Sequence, residues 1–435
     1  MRPDATSDSA AIDHLVIIGN GMAAHRLAMT LSDKPGAPRR ITLIGEEPGA
    51  AYNRILLSPW LAGEMNDEAL ALPAHPSRST TGTSLVTRLG ERVTAIDRDA
   101  RRITTSRGAT LDYERLVLAT GSSSALPSVP GVQLDGVHGF RDMADAESLA
   151  RAAAQGGRAV VIGGGLLGLE AAEGLRKRGM QVRVIQRSSR LMNRQLDATA
   201  AGLLQDELEA RGLAVITDAQ LSELEDNGQG RIQAVQLSDG TRLPAEHVVL
   251  AIGIAPNVEP GRSAGLACDR AIRVDEYLTT SDPAIHALGE CCQFGSSTYG
   301  LVEPIWQQVE VLAARLAGEP TTGFRDRPSA TKLKISGVSL YAFGPIEAGP
   351  EHDVLTYHDP EQGEYRRLLM LGGRLDAAVL YGDTAMGPWL FARSQDATDF
   401  GEARRALLLG PADTQTLLDD APATSDTDAF DQEAA

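Results

Sequence analysis

Cysteine is scarce, with three in 435 residues, at Cys268, Cys291 and Cys292. So few thiols exclude a disulfide framework and a four-cysteine metal or cluster site within one chain. No run of 18 apolar residues occurs, which excludes a transmembrane helix. The opening MRPDATSDSA lacks the apolar core of a secretory leader. Basic residues are outnumbered, 41 against 58 acids, for a net charge of −17. Nucleic-acid binding needs clustered Lys and Arg, so no nucleic acid is expected as a partner. The eight histidines show no H-x-x-x-H spacing, and no metal is expected. These absences together point to the reducing cytoplasm and away from membranes.

What is present is ordinary for a globular protein: 43% hydrophobic and 23% charged residues, in a length that suits about three domains. The charge gathers at one end. From Pro411 to Ala435 there are seven acids and no Lys or Arg. That composition cannot bury enough apolar surface to offset ordering, so 411–435 is expected to be an acidic disordered tail, and 1–10 a disordered N-terminus.

The chain repeats itself. HLVII (His14–Ile18) runs into Gly19-Asn20-Gly21-Met22-Ala23-Ala24, then an apolar-periodic helix, then ITLI (Ile41–Ile44). AVVI (Ala159–Ile162) runs into Gly163-Gly164-Gly165-Leu166-Leu167-Gly168, then a helix, then VRVI (Val182–Ile185). Each copy reads strand, glycine turn, helix, strand, the order of a βαβ unit. Each has a later partner strand, LVLATG with Ala119, Thr120 and Gly121, and VVLAIG ending at Gly253. The first glycine permits the tight turn, the second lets backbone N–H groups approach a pyrophosphate, and the third position must be small for helix to pack on strand. Ala24 and Gly168 fill that third place. The following helix points its positive end at the phosphates. Two dinucleotide-binding domains are therefore expected.

The residue closing the second strand differs between the copies. Glu46 follows ITLIG, where a carboxylate accepts from ribose hydroxyls. In the second copy Gln186 and Arg187 stand there with no acid. An arginine at that point either holds a 2′-phosphate or is a solvated surface residue, and NADH and NADPH both remain open.

With both motifs in place, the chain from about Ile12 to Gly410 resembles the FAD-dependent pyridine nucleotide oxidoreductases. That resemblance implies an α/β fold of two Rossmann-like domains in a glutathione-reductase-like arrangement, plus a small α+β C-terminal domain. It implies a discontinuous FAD-binding domain (11–125 and 245–322), an NAD(P)H-binding domain inserted within it (126–244) and the C-terminal domain at 323–410. AIHALGE, with Gly289-Glu290, takes the place of the family segment that closes over FAD. EEPGAAYNRILLSPWLAGE (Glu46–Glu64), SRLMNRQLD (Ser189–Asp197) and ATKLKISGVSLYAFG (Ala330–Gly344) look like the flavin region of the NAD(P)H nitrite reductase large subunit and of the assimilatory nitrate reductase electron-transfer subunit. By that likeness Tyr52, Asn53 and Arg54 lie along FAD. Arg54 is a candidate for its pyrophosphate, a surface ion pair being the other reading. Where ferredoxin and rubredoxin reductases carry a lysine after the serine, Pro59 stands here.

Disulfide reductases of this superfamily carry a cysteine pair soon after the first βα unit. This chain has no cysteine before Cys268, and Leu57 and Ser58 occupy that neighbourhood. What the resemblance leaves is a flavin that takes a hydride from NAD(P)H and passes electrons on, with the protein positioning the rings. Glu170, two residues past Gly168, is the acid expected to face the nicotinamide. A helix opening at Glu303-Pro304 carries Ile305, Val309, Leu312 and Leu316 on one face. By the resemblance it aims its N-terminus at the flavin, with Trp306 either beside the isoalloxazine or in core packing. The leading expectation is electron transfer to a protein acceptor in nitrate or nitrite assimilation. A rubredoxin or ferredoxin reductase, an NADH oxidase and a redox-sensing flavoprotein are the alternatives. The C-terminal domain is expected to serve homodimerisation or partner docking.

Overall fold

The computed structural model describes residues 12–333, 335–396 and 398–419. Two compact units divide the chain: one runs to Leu191 and adds Leu208–Ser329, and the other joins Met192–Glu207 to the chain from Ala330.

The first unit is built on two parallel sheets of five strands. In one, the order is Ile285–Ala287, Arg115–Leu118, His14–Ile18, Arg40–Ile44, Ser84–Arg88. In the other it is Ala214–Ile216, Gln181–Ile185, Arg158–Ile162, His247–Leu250, Val137–His138. Each glycine-bearing strand lies between the strand that follows its helix and the strand that ends in the later partner motif. The repeat read in the sequence is thus a repeat of topology. Strands covered on both faces must be apolar throughout, and Leu15, Val16 and Ile17 are fully buried, as is Val161. Helices Met22–Ser32 and Leu166–Lys177 follow the two turns.

Helix Val302–Leu316 begins one residue before the expected Glu303. Pro304 therefore sits in the first turn but not at its first position, where its missing N–H still costs no intrahelical bond. Its Ile305, Val309, Leu312 and Leu316 are buried, on the expected stripe. Two three-stranded antiparallel sheets, Val93–Asp97 with Arg102–Thr105 and Thr110–Asp112, and Leu221–Asp226 with Ile232–Leu237 and Arg242–Pro244, join the parallel layers.

The second unit is an antiparallel sheet in the order Thr331–Lys332, Leu340–Phe343, Arg374–Tyr381, Glu364–Leu371, His352–Asp359. Tyr341, Phe343, Leu368, Leu380, Leu390 and Phe400 form its core. Helix Pro411–Asp419 is ordered where the acidic composition pointed to disorder. Proline opens it, and Thr414, fully buried, donates its hydroxyl to the Gly410 carbonyl at 2.8 Å. The rest of that expected tail, 420–435, and the expected disordered 1–10 lie outside the described residues.

On the short edge strand Val137–His138, the His138 Nε2 lies 3.2 Å from His247 Nδ1, and its Nδ1 lies 3.2 Å from Ser148 Oγ. Burial first, then the neighbouring His247, holds His138 from its ordinary 6.5 down to about 4. The folded chain binds this proton less readily than the unfolded chain, so folding stability falls as pH drops from 6.5 towards 4. Denaturant unfolding measured across that window should show a shallower fall for His138→Asn than for the wild-type chain. Parallel profiles would contradict a neutral buried His138.

Candidate functional site

The two glycine turns share one construction. Gly19 N–H donates to Ile44 O at 2.8 Å and Gly163 N–H to Ile185 O at 2.8 Å. Both glycines adopt left-handed φ, +123° and +118°, and a Cβ would lie 2.2 Å from the Ala119 carbonyl oxygen or 2.3 Å from that of Ala251. Each turn is therefore pressed against the end of its partner strand. The third positions are equally tight: Ala24 is fully buried, and a Cβ on Gly168 would come within 1.9 Å of the Gly163 oxygen. The second positions are open. A Cβ on Gly21 would meet only Arg54 Nε, at 3.8 Å, and one on Gly165 would meet nothing within 4 Å.

The helices start without side-chain caps, at Gly21 and Gly165. Their first intrahelical donors to those residues are His25 and Leu169. The N–H groups of Met22, Ala23 and Ala24, and those of Leu166, Leu167 and Gly168, thus belong to the set that a helix cannot satisfy itself. Such a start favours an anion.

Around the first turn lies a charged lining. Arg54 pairs with Glu47 and donates through Nη1 to the Arg141 carbonyl at 3.3 Å, its guanidinium 5.0 Å from the centre of the Tyr52 ring. Tyr52 donates its hydroxyl to Glu47 at 2.9 Å and accepts from Met143 N–H at 2.9 Å. Burial raises this phenol beyond its usual range. Glu290 pairs with Arg141 and accepts from Ser122 Oγ at 2.8 Å. Gly289, at φ +82°, sits beside Ala23, and its N–H is fixed at 2.8 Å by Gln308 Oε1 on the buried face of helix Val302–Leu316. The segment AIHALGE therefore reaches the first turn. Glu46 is exposed, its only ion pair among the described residues a distant 3.9 Å contact with Arg92.

The connectors from the partner strands cross. Thr120 Oγ1 donates to the Asn257 carbonyl at 2.7 Å, Asn257 Nδ2 returns a bond to Thr120 O at 2.8 Å, and Asn257 N–H donates to Gly121 O at 2.9 Å. Ser122–Ser124 pairs antiparallel with Ile254–Pro256, just past Gly253. At the second turn, Gln186 accepts from Gly164 N–H at 2.9 Å, and Arg187 is exposed. Glu170, one of the few buried carboxylates, receives the hydroxyl of buried Ser58 from helix Leu57–Leu61. Trp306 is half-buried against the core, with the Arg26 guanidinium 4.4 Å over its ring, and Glu303 is exposed in the first turn of the same helix.

Sequence reasoning missed Arg141, Ser122 and Gln308. Only Gln308 left a signal, a polar residue within an apolar stripe. Cys291 and Cys292 are fully buried and donate to the carbonyls of Leu288 (3.3 Å) and Gly289 (3.2 Å). Burial pushes both thiols up, away from the reactive thiolate form. Among the described residues no group of His, Cys, Asp and Glu is placed to hold a metal ion, and no helix is long and apolar enough to cross a membrane.

The contrast between the glycines is testable. Gly19→Ala forces a Cβ into the Ala119 carbonyl at a left-handed φ, and should cost about 2 kcal/mol or more of unfolding free energy. Gly165→Ala places its methyl in open space and should change stability by about 1 kcal/mol or less. Equal losses in denaturant titration would refute this division of labour.

Comparison with known proteins agrees with this architecture. Residues 13–311 match the pyridine nucleotide-disulphide oxidoreductase family, and residues 328–392 match the rubredoxin NAD+ reductase C-terminal domain. The chain is 37% identical over 397 residues to the NAD(P)H nitrite reductase of Bacillus subtilis, covering 91% of this chain and 49% of that protein. It is 37% identical over 370 residues to the assimilatory nitrate reductase electron transfer subunit of the same organism, covering 85% of this chain and 48% of that one. The chain thus spans about half the length of these two relatives. In fold it is similar to the reductase in the covalent putidaredoxin reductase–putidaredoxin complex, with a TM-score of 0.81 and 28% identity over 95% of this chain and 100% of that one. With the match running through both glycine turns, the chain belongs to the pyridine nucleotide-disulphide oxidoreductase family.

Proposed function

We propose that this chain is a flavoprotein reductase that passes electrons from NAD(P)H through FAD to a protein acceptor, in nitrate or nitrite assimilation. The observation that carries the reading is the pair of like-built turns, each with an uncapped helix start and an open second glycine, in a chain that puts Ser58 and not a thiol against Glu170.

The residues fit the two dinucleotides. At the first turn, Met22, Ala23 and Ala24 offer N–H groups, Gly21 leaves room for a diphosphate, and the Arg54 guanidinium, paired with Glu47, stands alongside as a further donor. Gly289 and Glu290 would close over that site, Thr120 and Gly121 would border it, and Glu46 would take the ribose hydroxyls. Gly163, Gly165, Leu166, Leu167 and Gly168 would hold NAD(P)H, with Gln186 and Arg187 at its adenosine ribose. FAD, when bound, would supply the redox chemistry between the two-electron donor NAD(P)H and the acceptor. The protein's share is electrostatic. The Glu170 carboxylate, held by the Ser58 hydroxyl, would favour the positive charge that develops on a nicotinamide ring as its hydride leaves. The start of helix Val302–Leu316, with Glu303 and Trp306 on its first turns, would set its positive end towards the flavin.

A second reading has its own support. The likeness to the reductase of the putidaredoxin complex extends over the whole of that chain, so a small iron–sulfur protein is the other acceptor class. In both readings the purified protein carries flavin, and anaerobic NAD(P)H bleaches it. Glu170→Gln should slow that reduction about tenfold, with a smaller loss for Ser58→Ala, followed by stopped-flow absorbance. Protein without flavin, or flavin that NAD(P)H leaves oxidised, would end the proposal. Full turnover on oxygen alone would replace the protein acceptor with an oxidase reaction.

A further inference from the structure

We propose that the electron donor is the 2′-phosphorylated nucleotide, NADPH, selected by Arg187. This rests on the reading of the second glycine turn as the nicotinamide nucleotide site, and it concerns the end of the strand after each helix, where the two copies carry different charge. At the first turn the strand Arg40–Ile44 gives way to an exposed carboxylate, Glu46. At the second, the strand Gln181–Ile185 gives way to Gln186, whose amide is occupied by the protein. Its Oε1 accepts from Gly164 N–H at 2.9 Å, and its Nε2 donates to Ser188 Oγ at 2.5 Å and to Arg190 O at 3.3 Å. Gln186 is only 9% exposed. It brings no negative charge to repel a phosphate, and its hydrogen-bonding atoms are engaged with the turn.

Arg187 follows at once, exposed and without a carboxylate partner among the described residues. The sequence here is basic: from Arg183 to Leu191 it has three arginines and no acid, in a chain of net charge −17. Asp218 is joined to the loop, its N–H donating to Ser188 O at 3.1 Å, and its side chain is exposed. A phosphate monoester carries up to about two negative charges and takes a guanidinium fork in two parallel bonds. Plain ribose hydroxyls ask instead for an acceptor with a charge, and none of the residues that directly follow Ile185, from Gln186 to Arg190, is an acid.

The test uses the flavin-loaded full chain. Binding of 2′,5′-ADP and of 5′-AMP is measured by calorimetry, and flavin reduction by NADPH and NADH by anaerobic stopped flow. The expected result is 2′,5′-ADP binding about tenfold or more tighter than 5′-AMP, an advantage that shrinks with salt, and a matching preference for NADPH in the dissociation constant. Arg187→Leu should remove about tenfold of that preference, and Gln186→Glu, which keeps the acceptor on Gly164, should turn it towards NADH. Equal binding of the two adenosine probes, or an unchanged preference in Arg187→Leu, overturns the assignment. Bleaching by NADH with NADPH inactive would sink this inference alone. Bleaching by neither would sink the reductase reading beneath it.

Discussion

Two places where main chain presses on main chain organise this molecule. At Gly19 the turn lies so close to the Ala119 carbonyl that no side chain fits, and Gly163 repeats the arrangement against Ala251. Each contact joins the end of a central parallel strand to the end of its neighbour and fixes where the following helix begins. The inward side of each motif is closed, by Gly19 with Ala24 and by Gly163 with Gly168. The outward side is open at Gly21 and Gly165. The same few residues thus pack the fold and leave its helix starts accessible. A change that loosens the packing would also displace the N–H groups that face outward.

The framework was legible because its signals are local. Apolar runs such as HLVII and AVVI read as strands buried on both faces, and the glycines fall where those strands end. Strand His352–Asp359 escaped notice because it is a sheet edge, with Leu355 its only buried residue. Helix Pro411–Asp419 was hidden by its acids, which describe solubility, while the buried hydroxyl of Thr414 anchors its first turns. The site was legible only where it coincides with the turns. Arg141 meets Glu290 and Ser58 meets Glu170 across more than a hundred residues of chain. No periodicity reports such a meeting, since it depends on how two sheets and their connectors are placed.

The charged lining of the first turn is balanced within itself. Arg54 has Glu47, and Arg141 has Glu290, each guanidinium about a quarter exposed or less. A half-buried cation without a partner would be costly, and a pair held by further bonds from Tyr52 or Ser122 spreads that cost. The pairs also tie remote parts of the chain together. Glu290 follows the last strand of the first sheet, and Arg141 lies beyond the connector that leaves it. The lining is therefore both an electrostatic surface and a clasp between segments.

The placement of sulfur has a practical consequence. Cys291 and Cys292 are sealed from solvent and engaged with carbonyl oxygens, which leaves Cys268, half-buried, as the sole thiol within reach of a reagent. A maleimide dye would mark the native molecule at one position, far in sequence from either glycine turn. Handling in air without a thiol protectant would leave the two inner sulfurs untouched.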